Sequence, residues 1–130
     1  MTPAERAVAA ARGAVGVRFR LHGRDPAFGL DCVGLAALAA RAAGFTGKPP
    51  AGYAIRSGNP SAAIDAAGLA RTAAPAAGDL LLFAAGPAQF HLAVQVPGGI
   101  VHADAMLRRV VERPGAPPWP PVAAWRFRGD

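Results

Sequence analysis

The sequence predicts an α+β domain in which helices come first and an antiparallel sheet follows. Residues 1–44 hold two stretches with apolar residues at helical spacing, each bounded by start and stop residues. Residues 80–127 hold short apolar runs separated by turn residues. Helices and strands segregated along a chain, rather than alternating, give an antiparallel sheet backed by helices. With 130 residues, 52% of them apolar, the chain fits one domain, residues 1–130, around one modest core. No internal repeat or interdomain linker interrupts it.

The elements follow in order. Thr2-Pro3-Ala4-Glu5 is a helix start: Thr2 can cap, Pro3 suits the first helical position, and Glu5 completes a capping box. That helix is expected to run to about Gly13. Residues 14–30 carry Gly, Pro and Asp punctuation and read as loop. Asp31 is a suitable N-cap for a second helix that Gly44 stops. Leu35, Leu38, Ala39 and Ala42 share one face of it, directed at the core. Residues 45–60 read as a long loop, and Ser61 to about Ala70 as a short helix capped by Ser61. Residues 72–78 look irregular. Strands are expected at 80–83, 90–96, 100–103, 107–111 and 122–127. Pro97-Gly98-Gly99 makes the second and third a hairpin, and the Pro-rich stretch 114–121 is a surface connection.

Composition excludes several classes. One cysteine leaves no internal disulfide framework. No CxxC or HExxH spacing occurs and His22, His91 and His102 are scattered, so no metal site is expected. The Ala-rich stretches are broken by Arg, Gly and Pro before about 18 apolar residues accumulate, so no membrane insertion is expected. Glu5 and two arginines interrupt the N-terminal apolar pattern, so no secretory signal is expected and synthesis in the cytoplasm is. The net charge of +6 suits attraction to a polyanion. However, no nucleic-acid motif appears and few aromatics interleave with the arginines, so a solvated surface is the favoured reading and no nucleic-acid partner is expected.

The remaining question is what Cys32 does. A cysteine near an apolar helix is commonly a core filler. At the first position of a helix, though, the dipole and unpaired amides favour a thiolate and can hold an oxyanion beside it. A nucleophilic thiol also needs a base, and the base needs a group to fix its ring. In 90–96, Leu92, Val94 and Val96 point to one face of the strand, and His91, Ala93 and Gln95 to the other. A type II turn at Pro97-Gly98 would pair Val96 with Gly99 and place His102 opposite Ala93, diagonal to His91. A turn at Gly98-Gly99 would place it opposite Gln95. Both keep the histidines on one face; a three-residue loop would not. Asp104 shares the parity of His102 and competes as the orienting group. His22 reads as a loop histidine near the site entrance, and Asp79 as a cap or turn residue.

Four motifs now carry a resemblance. Asp31-Cys32-Val33-Gly34-Leu35 resembles the D-C-S-G-L nucleophile motif of the NlpC/P60 cell-wall peptidases. Gly78-Asp79-Leu80-Leu81-Leu82-Phe83 is similar to that family's G-D-L-x-x-F strand. His91-Leu92-Ala93-Val94 is similar to its H-V-G-I segment, and Val101-His102-Ala103 to its I-H-A segment. The resemblance spans roughly residues 5–127. It implies a compact papain-like fold, a Cys-His-His triad without cofactor, and hydrolysis of peptide bonds in peptidoglycan stem peptides.

On that resemblance Cys32 is the nucleophile, His91 the base and His102 the orienting group, in preference to Asp104. Asp31 would lie near the substrate amine, with Phe19 and His22 completing the substrate side. Val33 replaces the family's usual Ser, and Phe19 stands where a Tyr hydroxyl is frequent. The short chain, Arg20-Leu21-His22-Gly23-Arg24 before the cysteine and the Pro-Trp ending resemble the subfamily associated with phage, prophage and gene-transfer-agent tails. This implies tail hub or baseplate partners and delivery within a virion-like tail to the periplasm or cell wall.

Overall fold

The computed structural model describes residues 1–47 and 58–127. The first helix, α1, spans Pro3–Gly13 and starts on the expected reciprocal cap: the Glu5 amide donates to Thr2 Oγ1 and the Thr2 amide to Glu5 Oε1. The second, α2, spans Cys32–Ala42. Asp31 caps it by accepting from the Gly34 amide, and Gly44, at φ +97°, ends it in the left-handed region that glycine adopts without strain. Its buried side only partly follows the expected stripe, since Leu38 and Ala42 are half-buried. Val33, Ala36 and Ala40 are buried with Leu35 and Ala39, because α1 packs on one flank and the sheet on another.

Between the helices, residues 14–30 are not wholly loop. Two short strands, β1 (Arg24–Asp25) and β2 (Gly29–Leu30), pair antiparallel. The stretch before them is held by the Phe19 amide donating to the Arg108 carbonyl and the Leu30 amide to the Arg18 carbonyl.

The third helix, α3, spans only Ser61–Ala66. The expectation that Ser61 caps it is corrected: Pro60 holds the cap position, while the Ser61 amide and hydroxyl both donate to Asn59 Oδ1. Gly68, at φ +102°, stops it, and the chain continues as β3 (Ala70–Arg71). Asp65 of α3 ties this region to the sheet, accepting from Trp125 Nε1 at 2.8 Å and from both Arg71 nitrogens at 2.9 Å. The loop expected at 45–60 falls mainly on residues 48–57, which lie outside the described residues.

The main sheet contains β3, β4 (Leu80–Gly86), β5 (Gln89–Val96), β6 (Gly99–Asp104), β7 (Arg109–Pro114) and β8 (Pro121–Arg126), in the order β3-β8-β4-β5-β6-β7 and antiparallel throughout. Its start at β4 is anchored by Asp79, which is buried, accepts from the Ala76 amide and pairs with Arg126. The β5–β6 hairpin resolves the open alternative: Val96 pairs with Gly99 across Pro97-Gly98, with Gly98 at φ +83° as a type II turn requires. The strand expected at 107–111 begins two residues later. Asp104 Oδ1 accepts the Met106 and Leu107 amides and Arg108 turns at φ +63°, so 105–108 form the turn.

Strand alternation sorts the core. Leu80, Leu82, Leu92, Val94, Val96, Val101 and Trp125 face α1 and α2, forming the main cluster with Ala7, Ala11, Leu35 and Ala39. Leu81, Phe83, Ala93, Ile100 and Ala124 form a smaller cluster on the outer face, against which Trp119 packs. The stretch 114–121 is therefore more than a surface connection, since it lays Trp119 across that outer face.

Candidate active site

Three pieces of chain meet at the start of α2. Cys32 is buried there on the inner side of the sheet. The amides of Leu92 on β5 and of Val33 and Cys32 face its sulfur and favour a thiolate. Burial outweighs them and, with help from the Asp31 charge, pushes the thiol up to about 11. The helix-start amides act in the expected direction, towards the thiolate, and loss of water around the sulfur acts against them more strongly.

The two histidines are brought together. His91 Nε2 and His102 Nδ1 lie 2.9 Å apart, the rings edge-on with centroids 5.0 Å apart. His102 is 3% exposed and His91 half-buried. Burial is the main cause that lowers both. The neighbouring His102 adds to it at His91, which falls to about 4; Asp104 pulls each the other way and Arg113 lowers His102 further. Both rings are therefore neutral at pH 7. A neutral His91 that donates Nε2–H to His102 keeps Nδ1 as a proton acceptor. The Cys32 sulfur meets β5 at the amide of Leu92, the residue after His91. Among the described residues no hydrogen bond joins its sulfur to either ring. Such contacts commonly tighten only in the substrate complex.

The other expected residues take different places. Asp31 is 0% exposed. Its Oδ1 accepts from the Gly34 amide and Arg24 Nη1, both at 2.9 Å, and its Oδ2 from the His22 amide at 2.8 Å. The carboxylate that was expected to meet a substrate amine instead holds residues 22–24 against α2. His22 is exposed and sits at φ +62° next to this junction. Phe19 is half-buried and packs on the main core. Asp104 is engaged by the β6–β7 turn and acts on the histidines through its charge, not as the hydrogen-bond partner of His91.

Two residues escaped the sequence reading. Arg24 pairs with Asp31, and Trp119 lies edge-on to both histidines, at 5.0 Å from His91 and 5.3 Å from His102, and 5.6 Å from Phe83. Neither carries a spacing signal, because Arg24 lies in a two-residue strand and Trp119 in the connection between β7 and β8.

An apolar pocket of about 90 Å³ lies beside Cys32 on the inner face, lined by Ala36, Ala40, Ile64, Leu82 and Leu92 among others. No group of three His, Cys, Asp or Glu side chains that could hold a metal ion occurs among the described residues. No described helix is long and apolar enough to cross a membrane.

A cysteine at a helix start, beside two neighbouring strands that each supply one histidine of a contacting pair, places this chain in the class of papain-like α+β folds. Solved structures sharpen this to the NlpC/P60 fold. NlpC1 from Trichomonas vaginalis matches with a TM-score of 0.71 and 21% identity, over 97% of this chain and 44% of that one. The NlpC/p60 domain of the peptidoglycan hydrolase SagA matches at 0.61 and 22%, over 94% of this chain and 97% of that one. RipD from Mycobacterium tuberculosis, a non-catalytic NlpC/p60 domain protein adapted to peptidoglycan binding, matches at 0.64 and 18%, over 97% and 98%. The chain spans less than half the length of NlpC1 and its homologue NlpC2. Neither a protein-family model nor a curated protein matches the sequence.

Proposed function

We propose that this chain is a cysteine peptidase that hydrolyses peptide bonds in peptidoglycan stem peptides. The observation that carries the reading is the 2.9 Å contact between His91 and His102, beside a cysteine at the start of α2, in a fold shared with peptidoglycan hydrolases.

In this mechanism neutral His91 takes the Cys32 proton as the sulfur attacks the scissile carbonyl carbon. The α2 amides hold the resulting oxyanion. The C–N bond then breaks, His91 gives its proton to the leaving amine, and an acyl thioester remains on Cys32. His91 next deprotonates a water, which attacks the thioester and frees the acid and the thiol. His102 orients His91 and spreads the positive charge that forms on it. The test is release of muropeptides from purified sacculi. Wild type should release them and Cys32→Ala should not; equal release by both would sink the reading.

The raised Cys32 thiol and the fold shared with non-catalytic RipD favour a second reading, a silent structural or adaptor domain that keeps the fold. It predicts sacculus binding that survives both Cys32→Ala and His91→Ala, with no product release. The tail-associated setting, with hub or baseplate partners and action in the periplasm or cell wall, is supported by the sequence resemblance. Co-purification with tail particles, or absence from them, tests it.

A further inference from the structure

The ladder between β5 and β6 pairs Val94 with Val101, Gln95 with Ile100 and Val96 with Gly99, and ends at Val94 and Val101. His91 and His102 lie beyond its end. Each is instead paired on its other side, His91 with Phe83 of β4 and His102 with Val111 of β7. The histidines thus bridge a fork between two hairpins, where no backbone pairing of β5 with β6 sets their spacing. Trp119 spans the same fork. Its ring is edge-on to His91 at 68° and to His102 at 83°, and leans on Phe83. Pro117, Pro118, Pro120 and Pro121 flank it and fix the backbone φ on both sides, so little freedom is lost in holding the indole there.

We propose that Trp119 is a positioning residue that locks the His91–His102 pair across the fork and keeps water off their hydrogen bond. The indole covers the outer side of both rings with apolar surface. A hydrogen bond kept dry in this way is stronger and geometrically stricter than one open to solvent. The ionisable groups that act on the pair are Asp104, Arg113 and the two imidazoles themselves; none is supplied by 114–121, so the segment acts by packing and exclusion of water. The consequence for turnover rests on the peptidase reading; the geometric role does not.

The test compares Trp119→Ala, Trp119→Leu and Trp119→Phe in the full chain. Imidazole ¹⁵N and N–H signals are titrated by NMR, and kcat and KM are measured separately on a defined muropeptide. In Trp119→Ala the shared N–H should exchange faster and both histidines should titrate closer to their ordinary range. Its kcat should fall about 10–100-fold with KM little changed, as a loosened catalytic group implies. Trp119→Phe should restore most of both. Imidazole signals and titrations unchanged from wild type in a folded Ala or Leu variant would overturn the proposal; if Ala does not fold, the Leu variant decides. If wild type releases nothing from sacculi while Trp119→Ala still loosens the pair, the positioning role stands and the peptidase reading falls.

Discussion

Arg24 and Asp31 meet at 2.9 Å directly before the cysteine, with the Asp31 carboxylate wholly enclosed. That carboxylate also takes the Gly34 and His22 amides, so one side chain caps α2 and pins the preceding loop. Removing it takes the side-chain acceptor from two amides and one partner from the Arg24 guanidinium. Asp31→Ala is expected to cost about 2–4 kcal/mol, and Asp31→Asn less, because the amide oxygen still accepts from Gly34. Urea unfolding of the three proteins, compared at equal m, checks the order.

Gly34 is the point of closest approach between α2 and the loop. A Cβ there would collide with the Gly23 carbonyl oxygen and crowd the Leu30 side chain. Since the Cβ is fixed to the main chain and the Gly23 oxygen it meets is backbone, the clash cannot be relieved by a rotamer change. Gly34→Ala should destabilise by about 1–3 kcal/mol despite alanine's better helix propensity. Gly13, with open space around its Cβ position, provides the contrast: Gly13→Ala should be neutral or slightly stabilising in the same thermal melts.

His102 serves His91 through one ring nitrogen. His102→Ala removes the acceptor and leaves the His91 ring free to rotate, and should lower kcat about 10²–10⁴-fold on a peptidoglycan substrate. His102→Gln and His102→Asn offer an amide oxygen in its place and should recover part of the loss. Loss as large in the amide variants as in alanine would mean that the imidazole itself is needed.

The buried thiol and imidazole should shape stability against pH from opposite sides. His91 titrates near 4 in the folded chain and near 6.5 when unfolded. The unfolded chain therefore binds the extra proton first, and stability falls as pH drops from about 6.5 towards 4. Cys32 keeps its proton to about 11 when folded and loses it near 9 when unfolded, so stability also falls as pH rises from about 9 to 11. The denaturation midpoint should peak between these windows. Cys32→Ala should abolish the alkaline limb, and alkylation of wild type by iodoacetamide should be slow at neutral pH and keep rising with pH until it levels near about 11. Fast alkylation at pH 6–7 would contradict the burial that raises the thiol.

Local signals were readable wherever one short stretch decides the outcome. Thr2 with Glu5 and Asp31 with Gly44 bounded two helices, because caps act within four residues of the backbone they satisfy. The alternation in 90–96 placed His91 and Leu92 on opposite faces, as found. Spacing left two turns open for the hairpin, and only the three-dimensional register chose Pro97-Gly98. Ser61 misled because its neighbour Asn59 captures both its amide and its hydroxyl. The state of Cys32 was not readable at all: a helix start is a local feature, whereas the burial that outweighs it is supplied by the sheet. Trp119 was hidden for a related reason, being 28 residues from His91 in sequence and beside it in space.

The junction of Gly23 with Gly34 has a consequence for anyone wishing to move this site to another scaffold. The cysteine's location is set by main chain lying against main chain, with the Asp31 carboxylate as fastener. Grafting the Asp31–Leu35 motif onto a foreign helix would transfer the letters and lose the placement. The unit to carry over is the continuous block from Arg18 to Leu35, which keeps the Arg18 carbonyl that accepts the Leu30 amide.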